Sequence, residues 1–359
     1  MLIKIRFLLV FFLIIAAISF ANEPNLSELF GNMDNQPTLE QVNAAITASA
    51  NVNGFTAMLD CALLDAVASV TNPEIIMSLI EAGASINVKN EYGRSALMIA
   101  AGSNPAPEII STLIRAGADI NDRAFNSDTA LMIAAEANKN PDIITVLINA
   151  GADVHDRSKD GLTVLMHAAR GNPNPDLIIS LVKAGVDINA RDEKGSTALI
   201  LAAGQNDNSE IITALLNSGA DINAKTQDGF TALLLATRHQ NSMERVVKLI
   251  EAGADVNIRG TGGFTTLMMA SIKSDSSETI AELIKAGADV NAKKDDGASV
   301  LMVAAMSAKT PDVVSELLKA GANAKLKDNA GYTAFDYAQQ NEHIKGSKVY
   351  WVLNKARFE

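Results

Sequence analysis

The sequence predicts an all-α solenoid in which two-helix units stack in a row, and three observations carry that expectation. Gly83, Gly117, Gly151, Gly185, Gly219, Gly253, Gly287 and Gly321 follow one another at 34-residue steps. Most of them open a Gly-Ala-(Asp/Ser)-(Ile/Val)-Asn phrase, with variants at Gly151 (His155 for Asn), Gly185 (Val186 for Ala) and Gly321. A second phrase, Ala96-Leu97-Met98, Ala130-Leu131-Met132, Val164-Leu165-Met166 and onward to Ala334-Phe335, keeps the same phase. A fixed period of this length is the signature of a repeat array, because one helix pair cannot bury its apolar face alone.

Each unit justifies its elements in order. Ser95, Thr129, Thr163, Thr197, Thr231, Thr265, Ser299 and Thr333 stand just before the first helix, where a hydroxyl can accept from the open N–H groups of the first turn. An alanine column from Ala100 to Ala338 follows, as expected where a neighbouring helix passes close by. The second helix begins with Pro73, Pro107, Pro141, Pro175 or Pro311, whose missing N–H costs nothing at that position. An acidic residue comes next (Glu74, Glu108, Asp142 and their equivalents) and complements the helix dipole. Aliphatic residues and a leucine column from Leu79 to Leu317 supply the buried stripe, and the periodic glycine ends the helix.

The ends of the chain differ from the array. Residues 1–21 have Lys4 and Arg6, an apolar run from Phe7 to Ile18, and a Ser19-Phe20-Ala21 exit, the three-part pattern of a secretory signal peptide. The run is short for a membrane anchor, which needs about 20 apolar residues. Residues 22–37 read as a polar linker, and the array with its caps is expected over 38–359. Thr38 to Gln41 is a capping-box start. At the other end Tyr337, Tyr350, Trp351 and Phe358 are expected to seal the last open core face. The first repeat admits two registers, one with Cys61 in the Ser/Thr cap column and one with it in the alanine column. Both make it a small structural residue, with an intermolecular disulfide as a minor alternative.

The sequence of finger, Gly-x-Thr, helix, turn, helix and Gly-Ala-Asp-Val-Asn resembles the ankyrin repeat, over about Thr38 to Glu359. The resemblance implies about eight full repeats plus terminal caps. This chain departs from the family pattern in reading Thr-Ala-Leu-Met where Thr-Pro-Leu-His is usual, and in a 34-residue period against the usual 33. Both departures look like the variants found in bacterial ankyrin proteins.

Composition and motifs argue against chemistry. Lys plus Arg is 30 and Asp plus Glu is 41, a formal charge of −11, which disfavours nucleic acid or an anionic membrane as partner. Aromatics are only 4% of residues, too few for a base- or sugar-stacking surface. His155, His167, His239 and His343 form no metal-ligating pair, one cysteine cannot build a cysteine metal site, and no nucleophile elbow or phosphate loop is present. No cofactor and no metal are expected. The cations Lys89, Arg123, Arg157, Arg191, Lys225, Arg259, Lys293 and Lys327 share one column and read as solvated finger positions interleaved with aspartates.

If stacking fixes the repeated columns, function falls to what does not repeat. The resemblance implies partner binding by fingertips and the inner face of the first helices. Those positions hold Phe125, Asn126, Arg170, Phe230, Arg238, His239, Phe264, Ile272 and Lys273. For Phe230, Phe264 and Tyr332 the competing reading is packing between adjacent fingers. The expectation is therefore an exported, non-enzymatic, monomeric scaffold that binds another protein, periplasmic or else secreted. A secreted effector acting on a host protein, or an enzyme or metal-dependent module, is the alternative.

Overall fold

The computed structural model describes residues 26–30, 36–50, 54–238, 243–273 and 277–358. The signal-peptide pattern of residues 1–21 lies outside them. Among the described residues every regular element is a helix, and extended backbone occurs only as isolated bridges such as Lys89 with Ser95. The chain forms two units, residues 1–159 and 160–359.

The first unit contains α1 (Leu26–Leu29), α2 (Leu39–Ser49), α3 (Phe55–Ser69), α4 (Pro73–Glu81), α5 (Ala96–Ser103), α6 (Pro107–Arg115), α7 (Ala130–Ala137) and α8 (Pro141–Asn149). Helices α1, α3, α5 and α7 pack side by side in one row, and α2, α4, α6 and α8 in a second. Helices α1 and α2 therefore form an additional pair against the first repeat. Leu26 is fully buried and Phe30 nearly so, within the stretch that the sequence suggested was a polar linker. The capping box of α2 forms as expected between Thr38 and Gln41.

The second unit contains α9 (Val164–Gly171), α10 (Pro175–Lys183), α11 (Ala198–Gln205), α12 (Glu210–Asn217), α13 (Ala232–Ala236), α14 (Met243–Glu251), α15 (Thr266–Lys273), α16 (Ser277–Lys285), α17 (Val300–Ser307), α18 (Pro311–Lys319), α19 (Ala334–Ala338) and α20 (Lys348–Lys355). The odd-numbered helices again pack in one row and the even-numbered in another.

The expected columns do their work in both units. Every member of the leucine column is fully buried, and the alanine column is buried to within 1%. Ser95 and its equivalents at Thr129, Thr163, Thr197, Thr231, Thr265 and Ser299 accept from the third helical N–H. Helix α4 ends in the left-handed turn that glycine permits: Gly83 has φ +115°, its N–H reaches Ile80 O, and Ala84 N–H reaches Leu79 O at 3.0 Å. Within each unit the asparagine of the glycine phrase joins successive repeats. Asn87 Oδ1 accepts from Asp119 N and Asn121 Oδ1 from Asp153 N, and Asn189, Asn223, Asn257 and Asn291 repeat the contact.

A second asparagine column escaped the sequence reading. Asn104 Nδ2 donates to Val67 O and Val70 O, Asn138 to Ala101 O and Asn104 O, and Asn206 to Ala169 O and Asn172 O, all at 2.8–2.9 Å. Ala101 O and Ala169 O lack a helical partner because Pro105 and Pro173 stand four residues on and carry no N–H. The buried amide supplies what the proline withholds. This column also settles the first register, since Val67 and Val70 relate to Asn104 as Ala101 and Asn104 relate to Asn138. Cys61 thus occupies the Ser95 column, but inside the longer α3 and exposed.

The column falters at α14. Arg245 stands where the preceding repeats have Ile211, Leu177 or Ile143, and its side chain is buried. Its Nη2 donates to Asn206 O and lies 3.5 Å from Asp207 Oδ1. Its Nη1 is a buried donor with no hydrogen-bond partner among the described residues.

The terminal cap corrects one expectation. Val349, Leu353 and Ile344 close the last core face, with Phe335 beneath them. Trp351 is 60% and Phe358 81% exposed, so the sole tryptophan does not seal the core. Helix α20 starts three residues later than the 34-residue phase would place it, and its buried leucine, Leu353, lies two residues past the phase position, which Trp351 occupies on the exposed face.

Candidate protein-binding surface

Fingers in each unit are tied in a row by their tips. Phe125 N–H donates to Tyr92 O, Lys159 to Asn126 O, and in the second unit Glu193 to Asp160 O, Gln227 to Lys194 O and Thr261 to Asp228 O. The cation column is more than a solvated face. Lys89 Nζ bridges Asp122 Oδ1 (2.6 Å) and Arg123 O, Arg123 reaches Arg157 O and Asp156, Arg259 reaches Lys293 O, and Lys293 reaches Lys327 O. These cations fasten their fingers to the next, so they serve the structure.

On this frame the fingertips of the first unit stand apart. The column of Phe125 otherwise holds Glu91, Lys159, Glu193, Gln227, Thr261, Asp295 and Asn329, all polar. The next column holds Tyr92 in a series that is otherwise Asn126, Asp160, Lys194, Asp228, Gly262, Asp296 and Ala330. Phe125 is 75% and Tyr92 64% exposed. Phe125 lies against Gly93, where a Cβ would stand 2.5 Å from the ring, so the aromatic fits because its neighbour is glycine.

The same tip carries a strained residue. Ser127 occupies the column that is Gly93, Gly161, Gly195, Gly229, Gly263, Gly297 and Gly331 in the other fingers, yet it holds φ +63°, the one positive φ outside glycine among the described residues. That conformation crowds a Cβ and costs about 1 kcal/mol or more. Local bonds hold it: Ser127 N–H to Ala124 O, Ala124 N–H to Asp128 O, and Asn126 Nδ2 to Asp128 Oδ2 at 2.6 Å. Strain of this kind collects at binding and catalytic segments.

Two hollows adjoin this tip. Glu91, Tyr92, Arg94, Phe125 and Asn126 line one of about 420 Å³. A second, of about 680 Å³, runs along the inner face of α3, α5 and α7, past Leu64, Asp65, Met98, Ile99 and Ile133, with Phe30, Cys61 and Tyr92 at its edges. Burial in this hollow raises the Asp65 carboxyl above its ordinary value. The walls are apolar and the rim carries Arg94 and Asp65, which suits recognition of a polypeptide surface.

The other expected residues lie in the second unit, on its own fingers and inner helix face. Phe230 is half-buried, its ring against Gly260, and Phe264 is half-buried with Lys294 Nζ 4.8 Å from its centroid. Both rings are thus taken up in contacts between fingers, whereas Tyr332 stays exposed, edge-on to Tyr337. Arg170 is half-buried in the last turn of α9, with Nη2 3.4 Å from His167 Nδ1. Arg238 is exposed just beyond α13, and Ile272 is half-buried on α15. Lys273 ends α15, while its side chain and the whole of His239 lie outside the described residues. Tyr92 was missed by sequence reasoning, although its polar column was there to be read.

Among the described residues no group of three or more His, Cys, Asp or Glu side chains could hold a metal, and no helix is long and apolar enough to cross a membrane. A family model described as ankyrin repeats, in three copies, matches at residues 63–158, 131–226, 165–260 and 267–349. The chain belongs to the ankyrin-repeat family. Ankyrin repeats are in general non-enzymatic modules that bind other proteins. A comparison with curated proteins returns no match.

Proposed function

We propose that this ankyrin-repeat protein is an exported scaffold of the bacterial envelope, periplasmic in location, that binds a partner protein through the inner groove and fingertips of its first unit. The single observation that carries the site is the pair Tyr92 and Phe125, two exposed aromatics in columns otherwise polar or small, beside a strained Ser127. Exposed aromatics at the edge of an apolar hollow are the residue type that most often anchors interfaces. A rigid, preformed surface also loses little conformational freedom on binding. The proposal of export rests on Lys4, Arg6, the apolar run and Ser19-Phe20-Ala21.

Two experiments test the reading. The intact mass of the protein from its native host should lack residues 1–21, and a membrane-bound species that retains them contradicts export. Residues 22–359, used as bait in an envelope extract, should retrieve a protein in stoichiometric amount. Replacing Arg170, Arg238 and Lys273 together by Ala separates the second unit's contribution. Retention of the partner by that variant confines the site to the first unit, and its loss extends the site along the inner face of the second.

A further inference from the structure

The stack end formed by α20 carries a surface that partner binding by the first unit does not use. Helix α20 has two stripes. Val349 and Leu353 face the core, while Lys348, Trp351, Val352 and Lys355 fall at i, i+3, i+4 and i+7 on the opposite, exposed face. Phe358 continues that surface and is 81% exposed. A terminal repeat ordinarily turns a polar face outward to keep the array soluble. This one presents a tryptophan, a valine and a phenylalanine.

Charge gathers at the same place. Between Glu342 and Glu359 stand Lys345, Lys348, Lys355 and Arg357 and no carboxylate, which leaves 26 of the chain's 30 cations to face 41 acidic residues elsewhere. On the neighbouring helix α19, Asp336 Oδ1 lies 4.0 Å from Arg357 Nη2. The Arg357 guanidinium also sits 4.9 Å from the Phe335 centroid and 5.9 Å from that of Phe358. Net charge argued against an anionic membrane, but net charge is an average over the chain. Screening limits exposed charges to an effective reach of about 8 Å at physiological ionic strength, so the local balance decides.

We propose that α20 and the residues after it form a peripheral docking surface for an anionic lipid bilayer. The aromatics are largely exposed, so they can enter the headgroup boundary, where tryptophan is favoured. The flanking lysines and Arg357 meet lipid phosphates. Helix α20 lies on the membrane and does not span it. This surface stands independently of the partner-binding surface of the first unit.

Trp351 supplies the test, because it is the chain's sole tryptophan and its emission reports on α20 whatever else touches the vesicle, the apolar N-terminal run included. The full chain is titrated with phosphatidylglycerol-containing vesicles and with pure phosphatidylcholine vesicles. The expected result is a blue shift with the anionic vesicles alone, reversed by salt. Lys345→Glu with Lys348→Glu should weaken vesicle affinity by about tenfold or more and leave the melting temperature unchanged. Both lysines are exposed, and an acidic residue at the start of α20 suits the helix dipole, so the pair should fold. No shift with anionic vesicles, an equal shift with neutral ones, or an unaffected double variant would overturn the proposal. A shift that appears only on adding an acidic protein would assign the patch to a protein partner and overturn it as well.

Discussion

Asn138→Ala is the most informative single change to the architecture. The Asn138 side chain is buried, its Nδ2 donates at 2.9 Å to Ala101 O and to Asn104 O, and its Oδ1 accepts from Asn140 N at 2.9 Å. Alanine leaves two buried carbonyls and one N–H without these partners. Each unmade buried bond costs about 1–3 kcal/mol, and carbonyls tolerate the loss better than N–H groups, so the total should reach about 3 kcal/mol. Asn140, two residues on, is the control. It caps α8 through Asp142 N and reaches Pro105 O from a more exposed position, so Asn140→Ala should cost only about 1 kcal/mol. Urea unfolding followed by circular dichroism measures both. An Asn138 variant no less stable than the Asn140 variant would refute the claim that the buried amides hold successive first helices together.

The remaining predictions concern the core, the strained fingertip and two polar contacts. Leu181 is fully buried on α10, and Leu181→Ala should cost roughly 2–5 kcal/mol in a urea melt, with damage concentrated in adjacent repeats. Ser127→Gly relieves a left-handed serine and, after the extra backbone entropy of glycine, should stabilise by about 0.5–1 kcal/mol; a neutral or lower midpoint would show that the local bonds fully offset the strain. Arg245→Leu restores the aliphatic column and should leave stability equal or higher by thermal melting, since buried charges are replaced by apolar groups at little cost. The Tyr337 hydroxyl donates to Asp328 Oδ2 at 2.6 Å, and that bond to the carboxylate, with burial second, pushes the phenol up to about 12. A phenol whose pKa is raised on folding contributes stability in full below its ordinary value of 10.0 and loses it as pH rises through about 12. The same bond holds the Asp328 carboxyl below its ordinary value, so its contribution is lost only as pH falls through that lowered value. Ultraviolet titration should show one tyrosine ionising near 12 that disappears in Tyr337→Phe.

The fold was legible because its determinants repeat. Leucine, alanine, proline, hydroxyl caps and glycine each occupy one column, and eight copies make a column visible without any structure. What the sequence concealed depends on partners far along the chain. Asn104, Asn138 and Asn206 read as ordinary turn residues until their amides are seen on carbonyls 34 and 37 residues earlier. The cation column looks solvated because sequence gives its spacing and not its reach to the next finger's carbonyl. Trp351 was misplaced because a two-residue offset in α20 exchanges the core stripe for the exposed one. At the candidate surface Phe125 was visible as a deviation from its column, while Phe230 and Phe264 looked equivalent to it. Only the geometry separates a ring held by the next finger from one left open.

Under the proposed function, the aromatic fingertips of the first unit carry partner binding. This is tested most directly by the affinity of the captured partner for the double variant Tyr92→Ala with Phe125→Ala, measured by titration calorimetry beside the wild-type protein. Both side chains are largely exposed, so melting behaviour should be unchanged. Affinity should fall by about 30-fold or more, the loss of roughly 2 kcal/mol that marks interface anchors. A double variant that folds normally and binds the partner with wild-type affinity would contradict the account.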